Sequence, residues 1–151
     1  MPSPFASHMD LALAEARAAA RRGEVPVGAV VISPRGVVLA SRGNETRALC
    51  DPSAHAEVQA IRAACAALGQ ERLPGCILYV TLEPCAACAA IIAAARIARL
   101  CYGAPDSKSG GVAHGPRLYT HPQTHHVPEV VDGLAADEAE SLLKAFFAAR
   151  R

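Results

Sequence analysis

Residues 76–102 limit the possible architectures of this chain more than any other segment. Cys76 to Leu82 is a continuous apolar run, Cys85 to Arg96 is rich in Ala and Ile, and Ala98 to Tyr102 is a second apolar run. This alternation predicts a strand, a helix and a second strand, with a right-handed crossover that makes the two strands parallel and buried. A parallel pair of this kind predicts an α/β fold.

An antiparallel hairpin is predicted upstream of this unit. Val25 to Ile32 and Val37 to Ala40 are short β-rich runs, and the turn residues Ser33-Pro34-Arg35-Gly36 lie between them. A helix is predicted from Ala54 to Leu68, with Val58, Ile61, Cys65 and Leu68 as its apolar stripe and Gly69 as its stop. A first helix is predicted to begin near Ser7 and Asp10 and to end at Gly23. A long functional loop with a short turn of helix is predicted over residues 103–128, and a strand is predicted at Val127 to Val131. A last helix is predicted with Asp137 and Glu140 as its capping pair and with a stripe through Leu142, Leu143, Phe146 and Phe147.

Length and composition restrict the class of protein. A chain of 151 residues has the size of one ordinary domain, so we expect a single domain over residues 1–151. A net charge of +1 does not indicate a general polyanion binder, although it permits a local basic patch. Arg, Glu or Asp interrupts every apolar stretch before it reaches the roughly 20 residues that a bilayer requires. Six cysteines behind an N-terminus without a secretory pattern indicate a reducing compartment, so we expect a soluble, cytoplasmic protein.

Four residues at the starts of two predicted helices form a candidate metal site. Cys85 and Cys88 are three residues apart, so both thiols face the same side of a first helical turn. The helix dipole at that position favours the thiolates that a metal requires. His55 lies on the inward stripe of the preceding helix and can supply a third ligand, whereas Glu57 points about 200° further round an ideal helix. Three protein ligands with an open position flanked by Glu57 predict a catalytic zinc, because a structural zinc is closed by four protein ligands.

Each of these features has a plainer explanation when taken alone. A buried His is usually a core residue, and a Cys-x-x-Cys pair is compatible with redox chemistry, structural zinc or packing. Together, however, His55-Ala56-Glu57 and Pro84-Cys85-Ala86-Ala87-Cys88 match the H-x-E and P-C-x-x-C signature of the zinc deaminases. The sequence therefore predicts one zinc ion held by His55, Cys85 and Cys88, with Glu57 as the catalytic proton carrier.

Further segments resemble the bacterial tRNA-specific adenosine deaminases, and the likeness covers nearly the whole chain. They are Gly23-Glu24-Val25-Pro26-Val27-Gly28-Ala29-Val30, Asn44, residues 51–57, residues 78–85, Tyr102-Gly103-Ala104 and Phe146-Phe147. The resemblance implies a three-layer α/β/α cytidine deaminase-like fold with a mixed five-stranded sheet and one Zn²⁺ per subunit. It also implies a homodimer that binds a tRNA anticodon loop and converts the wobble adenosine to inosine. In this hypothesis a zinc-activated hydroxide attacks C6 of the purine while Glu57 moves the protons.

The same resemblance implies a set of substrate contacts, which comprises Val27, Gly28, Ala29, Asn44, Ala56, Glu83, Asp106 and Phe147. Several of them also have structural explanations, since Asn44 follows a glycine and Val27 and Ala29 fit a strand core. The chain departs from the family pattern at Ala87, Ala90 and Pro105, close to the expected pocket wall. Two rival hypotheses therefore stay open: a deaminase of free guanine, cytosine or a nucleoside, and a noncatalytic zinc module that binds RNA.

Other chemically capable residues receive plainer predictions. Four further cysteines are predicted to be buried thiols, namely Cys50, Cys65, Cys76 and Cys101. Three histidines are predicted to be loop residues rather than a second metal site, namely His121, His125 and His126. Arg150 and Arg151 follow an aromatic pair and fit either an RNA loop contact or the frayed end of a packed helix, with at least one of Phe146 and Phe147 in the core.

Overall fold

The computed structural model describes residues 6–150 and places the metal-site signatures at the starts of two helices beside one sheet. The helices are α1 (Ala6–Arg21), α2 (Ala56–Leu68), α3 (Ala86–Ala94) and α4 (Ala136–Ala148), with a short 3₁₀-helix at Leu118–Thr120. The strands are β1 (Gly28–Ile32), β2 (Val38–Gly43), β3 (Ile77–Leu82), β4 (Arg99–Ala104) and β5 (Glu129–Val131). Every element predicted from the sequence is therefore present, with ends that differ by a few residues.

The five strands form one mixed sheet in the order β2-β1-β3-β4-β5. β1 pairs antiparallel with β2 on one side and with β3 on the other. β3, β4 and β5 are parallel, and in the first of these pairs Leu78 lies opposite Leu100. The predicted hairpin and the predicted parallel strand-helix-strand unit are both confirmed, and they join through the β1–β3 pair to give the expected mixed five-stranded sheet.

Helices cover both faces of the sheet, which confirms the predicted three layers. Alternate strand residues point to opposite faces, so Val30, Tyr79 and Cys101 pack with Met9 and Leu13 of α1 and with Ala139 of α4. On the other face, strand residues such as Val31, Leu78 and Leu100 pack with α2 and with Ile92 of α3. The active-site signatures belong to this second face, because α2 and α3 both begin there.

Two details of the helices differ from the sequence prediction. The stripe of α2 is buried at Val58 and Ile61 but not at its end, where Cys65 is half-buried and Leu68 is exposed, because the last turn before the left-handed Gly69 faces solvent. The cap of α4 is Ala135 in a left-handed conformation, with no side-chain cap hydrogen bond, so the predicted capping pair is wrong and Asp137 instead lies in the first turn.

The cysteine prediction holds for only two of the four residues. Cys76 and Cys101 are buried, but Cys50 is exposed, because it sits with a φ of 49° in a surface turn. The thiol of Cys65 is half-buried on the outer half of α2. Within residues 6–150, none of the helices has both the length and the apolar character that crossing a bilayer demands.

Candidate active site

Two helix N-termini bring the metal-site side chains together. His55 is the N-cap residue of α2, with φ −69° and ψ 155°, and Cys85 is the N-cap residue of α3, with φ −69° and ψ 172°. Both residues are therefore extended and immediately precede their helices, rather than lying within them as the sequence analysis assumed. Cys88 follows on the first turn of α3, where it is buried. The partial positive charge of both helix ends favours anionic groups at this point.

The three donor atoms have the spacing of a tetrahedral metal site. Nδ1 of His55 lies 3.2 Å from Sγ of Cys88 and 3.7 Å from Sγ of Cys85, and all three atoms lie within 4.8 Å of one another. Zn–S bonds of about 2.3 Å and Zn–N bonds of about 2.0 Å at tetrahedral angles put such atoms about 3.5–3.8 Å apart. The set therefore fits zinc with one position left for a nonprotein ligand, and it is the single such cluster among the described residues.

The three donor groups shift one another's pKa values through their shared hydrogen bonds. The hydrogen bond from Cys88 makes the largest contribution to lowering the pKa of Cys85 to about 3, and the hydrogen bond from His55 makes the next largest, so this sulfur is a thiolate. The pKa of Cys88 is raised instead, mainly by its hydrogen bond with Cys85 and next by burial. The hydrogen bond to Cys85 raises the pKa of His55. A divalent cation bound by these three atoms would displace the protons that Cys88 and His55 retain, because metal ligands must be deprotonated.

The Glu57 side chain lies at the same site as the metal-binding residues. It is the second residue of α2, 5% exposed, and burial raises the pKa of its carboxyl group. An angle of about 200° between the His55 and Glu57 side chains is expected only if both residues are helical. This angle does not apply here, because His55 has an extended backbone. The carboxyl group can therefore hydrogen-bond the Cys88 thiol, yet it is not one of the three clustered donor atoms.

A cavity of about 240 Å³ adjoins these residues. It is lined by Val25, Val27, Asn44, Thr46, His55, Ala56, Glu57, Leu82, Glu83, Cys85, Asp106 and Ser109. The volume is below the usual range for drug-sized ligands and matches a single flat base better than a large cofactor. Sequence reasoning missed four lining residues, of which Val25 and Leu82 lie within quoted segments while Thr46 and Ser109 lie in loops without any pattern.

One buried polar atom of a cavity-lining residue has no hydrogen-bond partner among the described residues. Asn44 is 7% exposed, and among the described residues its amide oxygen Oδ1 finds no hydrogen-bond donor. A buried acceptor without a partner costs stability, roughly 1–3 kcal/mol. Because Asn44 lines the cavity, a ligand bound there can supply the missing donor.

A second carboxylate organises the opposite wall. Glu83 has no exposed side-chain surface, and its oxygens accept hydrogen bonds from the backbone amides of Asp106, Val112, Ala113 and His114 and from the His114 ring. Burial alone would raise the pKa of Glu83, but these donors together lower it. Glu83 thus fastens the loop that carries Asp106 and Ser109 to the cavity.

Comparison with known proteins agrees with this arrangement. Residues 4–104 match the family model described as the cytidine and deoxycytidylate deaminase zinc-binding region. The chain belongs to this zinc-dependent deaminase family. It is 56% identical over 143 residues to a tRNA-specific adenosine deaminase of Agrobacterium fabrum, across 95% of this chain and 93% of that protein. These two findings identify a zinc-dependent hydrolytic deaminase fold and signature in this chain.

Two solved structures are also similar. One, from a study of A-to-I editing by tRNA:A34 deaminases at the wobble position of transfer RNA, has 57% identity and a TM-score of 0.89 over 90% of this chain and 98% of that chain. A guanine deaminase of Bacillus subtilis has 31% identity and a TM-score of 0.66 over 95% of this chain and 92% of that chain. The deaminase fold therefore serves more than one substrate among these relatives.

Three predicted substrate residues of this deaminase lie away from the cavity. Gly28 packs against α1, where an added Cβ would collide with the carbonyl oxygen of Ala12. Ala29 is fully buried in the core beside α2. Phe147 is 48% exposed on α4, edge-on to the buried ring of Phe146, so the prediction that one of this pair is core is confirmed. Gly28 and Ala29 thus shape the strand, while Phe147 remains open to solvent.

The other residues singled out in the sequence are the three departures from the family pattern, the loop histidines and the C-terminal arginines, and those that the structure describes lie outside the small cavity. Ala87, Ala90 and Pro105 are exposed and do not line the small cavity. His121 and His125, with Ala90, line a larger open groove of about 780 Å³ beside α3, and Nε2 of His126 lies 2.7 Å from the Ile97 carbonyl oxygen. Arg150 stacks on Phe146 with 3.5 Å between its guanidinium carbon and the ring centroid, and Arg151 lies outside the described residues.

Proposed function

We propose that this chain hydrolyses adenosine to inosine at the wobble position of a tRNA anticodon. The observation that carries the proposal is a three-donor metal cluster and a buried carboxyl group facing one cavity of base size. The high identity to tRNA-specific adenosine deaminases over nearly all of the chain supports tRNA as the substrate. The small cavity supports a flipped nucleotide, because a base within a stack cannot enter it.

His55, Cys85 and Cys88 would hold the zinc ion. When bound there, zinc supplies Lewis-acid activation of water at neutral pH. The two thiols provide the negative charge that offsets the cation, and the helix N-termini stabilise both sulfurs as thiolates. Because His55 and Cys85 also line the cavity, a metal ion held by the three residues would lie beside the space for substrate and water.

Glu57 would move the protons. The net reaction adds water at C6 and releases ammonia, so one proton must reach N1 of the purine and another must reach the departing amino group. Burial raises the pKa of Glu57, and a buried carboxyl group with a raised pKa can take up and return a proton during the reaction. Its position beside the cluster gives it access to both sites on the ring.

The cavity walls would hold the nucleoside. Asn44 offers its unpartnered Oδ1 as an acceptor for a substrate hydroxyl or amino group. Val27 and Ala56 offer apolar contact to the base, and Asp106, held by Glu83, closes the other side. Phe147 is proposed only as an outer RNA contact, because it does not line the cavity.

The wider assembly belongs to the same proposal. We infer one deaminase domain over residues 1–151 that acts as a homodimer with one zinc per subunit, in the cytoplasm where its tRNA substrate resides. The family resemblance supports the dimer. Light scattering of the purified protein tests it, because a dimer has twice the chain mass of 15.7 kDa.

One experiment separates tRNA from the rival substrates. Zinc-loaded protein is incubated with tRNA that carries adenosine at the wobble position, and in parallel with guanine, cytosine, adenosine and cytidine, and ammonia and inosine are measured. We expect inosine in the tRNA and no turnover of the free compounds. Guanine is the most important alternative substrate, because the chain is similar to a guanine deaminase. Release of ammonia from guanine without formation of inosine in tRNA would overturn the proposal.

A further inference from the structure

Three arginines meet around Gly23, at the edge of the cavity. A guanidinium nitrogen of Arg22 lies 3.3 Å from the Asn44 carbonyl oxygen, and one of Arg47 lies 3.3 Å from the Gly23 carbonyl oxygen. Arg150 reaches the same place from α4, since its Nη2 lies 4.0 Å from the position that a Cβ on Gly23 would occupy. We call Arg22, Arg47 and Arg150 the Gly23 arginine cluster.

No ion pair among the described residues neutralises this cluster, and the neighbouring Glu24 carboxylate accepts its hydrogen bonds from the backbone amides of Arg47 and Ala48. All three side chains are exposed, and none lies within 4.0 Å of a carboxylate among residues 6–150, where the ion pairs of arginine use Arg17, Arg62 and Arg99. The hydrogen bonds to backbone carbonyls fix the guanidinium groups but leave most of their five N–H donors free. With a net charge of only +1 for the chain, this is a local concentration of positive charge.

The cluster is continuous with the cavity. The backbone carbonyl oxygen of Asn44 accepts a hydrogen bond from Arg22, and Asn44 also lines the cavity. Val25, another lining residue, is two residues from Gly23. Two residues span at most about 7 Å. A polyanion with one unit in the cavity would therefore come within reach of the arginine cluster.

An aromatic surface borders the same cluster. Arg150 stacks on the ring of Phe146, and Phe147 lies edge-on to that ring with a centroid separation of 5.3 Å while remaining 48% exposed. Guanidinium groups beside an exposed aromatic ring suit single-stranded RNA, where phosphates need cations and unstacked bases need flat partners.

We propose that the Gly23 arginine cluster binds the phosphates next to the flipped nucleotide of a single-stranded RNA loop. This inference rests on the proposed function, and it assigns to Arg22 and Arg47 a role that the metal-site and cavity motifs do not reveal. The guanidinium groups would act by charge and hydrogen bonding to phosphate oxygens, so binding should be strongly salt-dependent.

The test measures RNA affinity against salt. An anticodon stem-loop with adenosine at the wobble position is titrated by fluorescence anisotropy with zinc-loaded protein in a Glu57→Gln background, so that the RNA is not converted during the measurement. Arg22→Gln and Arg47→Gln should each weaken binding by about two- to fivefold and reduce the slope of log K against log salt by about 0.7. Arg35→Gln is the matched control, because Arg35 is an exposed arginine in the hairpin turn at the far end of β1.

The two proposals fail in different ways. If the unmodified protein makes no inosine from this stem-loop, the proposed function is wrong. If Arg22→Gln and Arg47→Gln have the same salt slope as Arg35→Gln, the arginine cluster does not bind RNA, whatever the inosine assay gives. Thermal unfolding of each variant is recorded alongside, and a slope reduced in variants that melt like the parent protein supports the cluster as a phosphate site.

Discussion

Nδ1 of His114 lies 2.8 Å from Oε1 of Glu83, and this contact joins the far end of the 106–114 loop to the residue that precedes Pro84 and Cys85. The Glu83 carboxylate is fully enclosed, while the His114 side chain is 37% exposed. The same loop is fastened to the start of α3 by the Gly111 amide, which donates to the Pro84 carbonyl oxygen at 2.8 Å. The wall of the cavity that carries Asp106 is thus held by the segment that carries the metal ligands.

His114→Ala should loosen this wall. It removes a charge-assisted hydrogen bond of a partly exposed group, so we expect a loss of roughly 1 kcal/mol in the free energy of unfolding. The kcat/KM for the RNA substrate should fall by about fivefold or more, with most of the effect in KM, because the Glu83 carboxylate that accepts a hydrogen bond from the Asp106 amide loses its His114 ring donor. His114→Asn, which keeps an N–H donor near the position of Nδ1, should restore much of the KM. Equal kinetics for Ala and Asn variants would show that the hydrogen bond is not what matters.

Glu57→Gln should abolish turnover while the fold and the metal remain. The amide has the same shape as the carboxyl group but cannot carry protons, and general acid–base catalysis contributes about 10²–10⁴-fold to rates. We therefore expect inosine formation to fall by at least about 100-fold, with unchanged zinc content by atomic absorption. Glu71→Gln, an exposed carboxylate outside the cavity, is the control. Activity of the Glu57 variant within tenfold of the parent would remove Glu57 from the mechanism.

Cys85→Ala should lose metal. This sulfur is the thiolate of the cluster, with a pKa of about 3, so its removal takes away both a ligand and the charge that balances the cation. Zinc content after dialysis against a weak chelator should fall well below one ion per chain, and the melting temperature should fall with it. Cys65→Ala removes a half-buried thiol outside the cluster and should keep its zinc. Full zinc retention in Cys85→Ala would contradict the assigned ligand set.

Much of the fold could be predicted because its signals are local. The apolar runs 76–82 and 98–102 flank a helical segment, so the parallel β3–β4 pair follows from sequence spacing alone. The metal residues could be predicted for the same reason, since each signature is a short motif at a helix start. The extended backbone of His55 could not, because a helix boundary is uncertain by one or two residues and an N-cap belongs to neither state.

The rest depends on contacts between distant parts of the chain. Glu83 is one acidic residue in a motif, and nothing local shows that it binds four amides located 23–31 residues further on. The exposure of Cys50 depends on a left-handed turn, which its residue type does not favour. The meeting of Arg22, Arg47 and Arg150 likewise requires α1, the loop after β2 and α4 to converge, and each arginine alone is an ordinary surface residue.

Asn44→Ala should separate binding from stability. The unpartnered Oδ1 contributes no hydrogen bond within the described residues, so its removal should cost little free energy of unfolding. If a substrate group donates a hydrogen bond to Oδ1 of Asn44, kcat/KM should fall by roughly 10- to 100-fold in the variant, which corresponds to the roughly 1–3 kcal/mol of a buried hydrogen bond. Urea unfolding and steady-state kinetics on the RNA measure the two quantities. A large loss of stability with normal kcat/KM would make Asn44 a structural residue.

Gly28→Ala should act on the fold rather than on the substrate. The new Cβ would meet the backbone of α1 at the Ala12 carbonyl oxygen and the Ala16 amide, and neither can move without shifting the helix. Overpacking of this kind costs about 1–3 kcal/mol, which urea unfolding would detect as a lower midpoint at an unchanged m-value. Zinc content should persist in the folded fraction, because β1 is not a ligand-bearing element. If the variant unfolds like the parent but its KM for RNA rises, Gly28 contacts the substrate as the family resemblance implies, and the close packing of β1 on α1 is not its reason for being glycine.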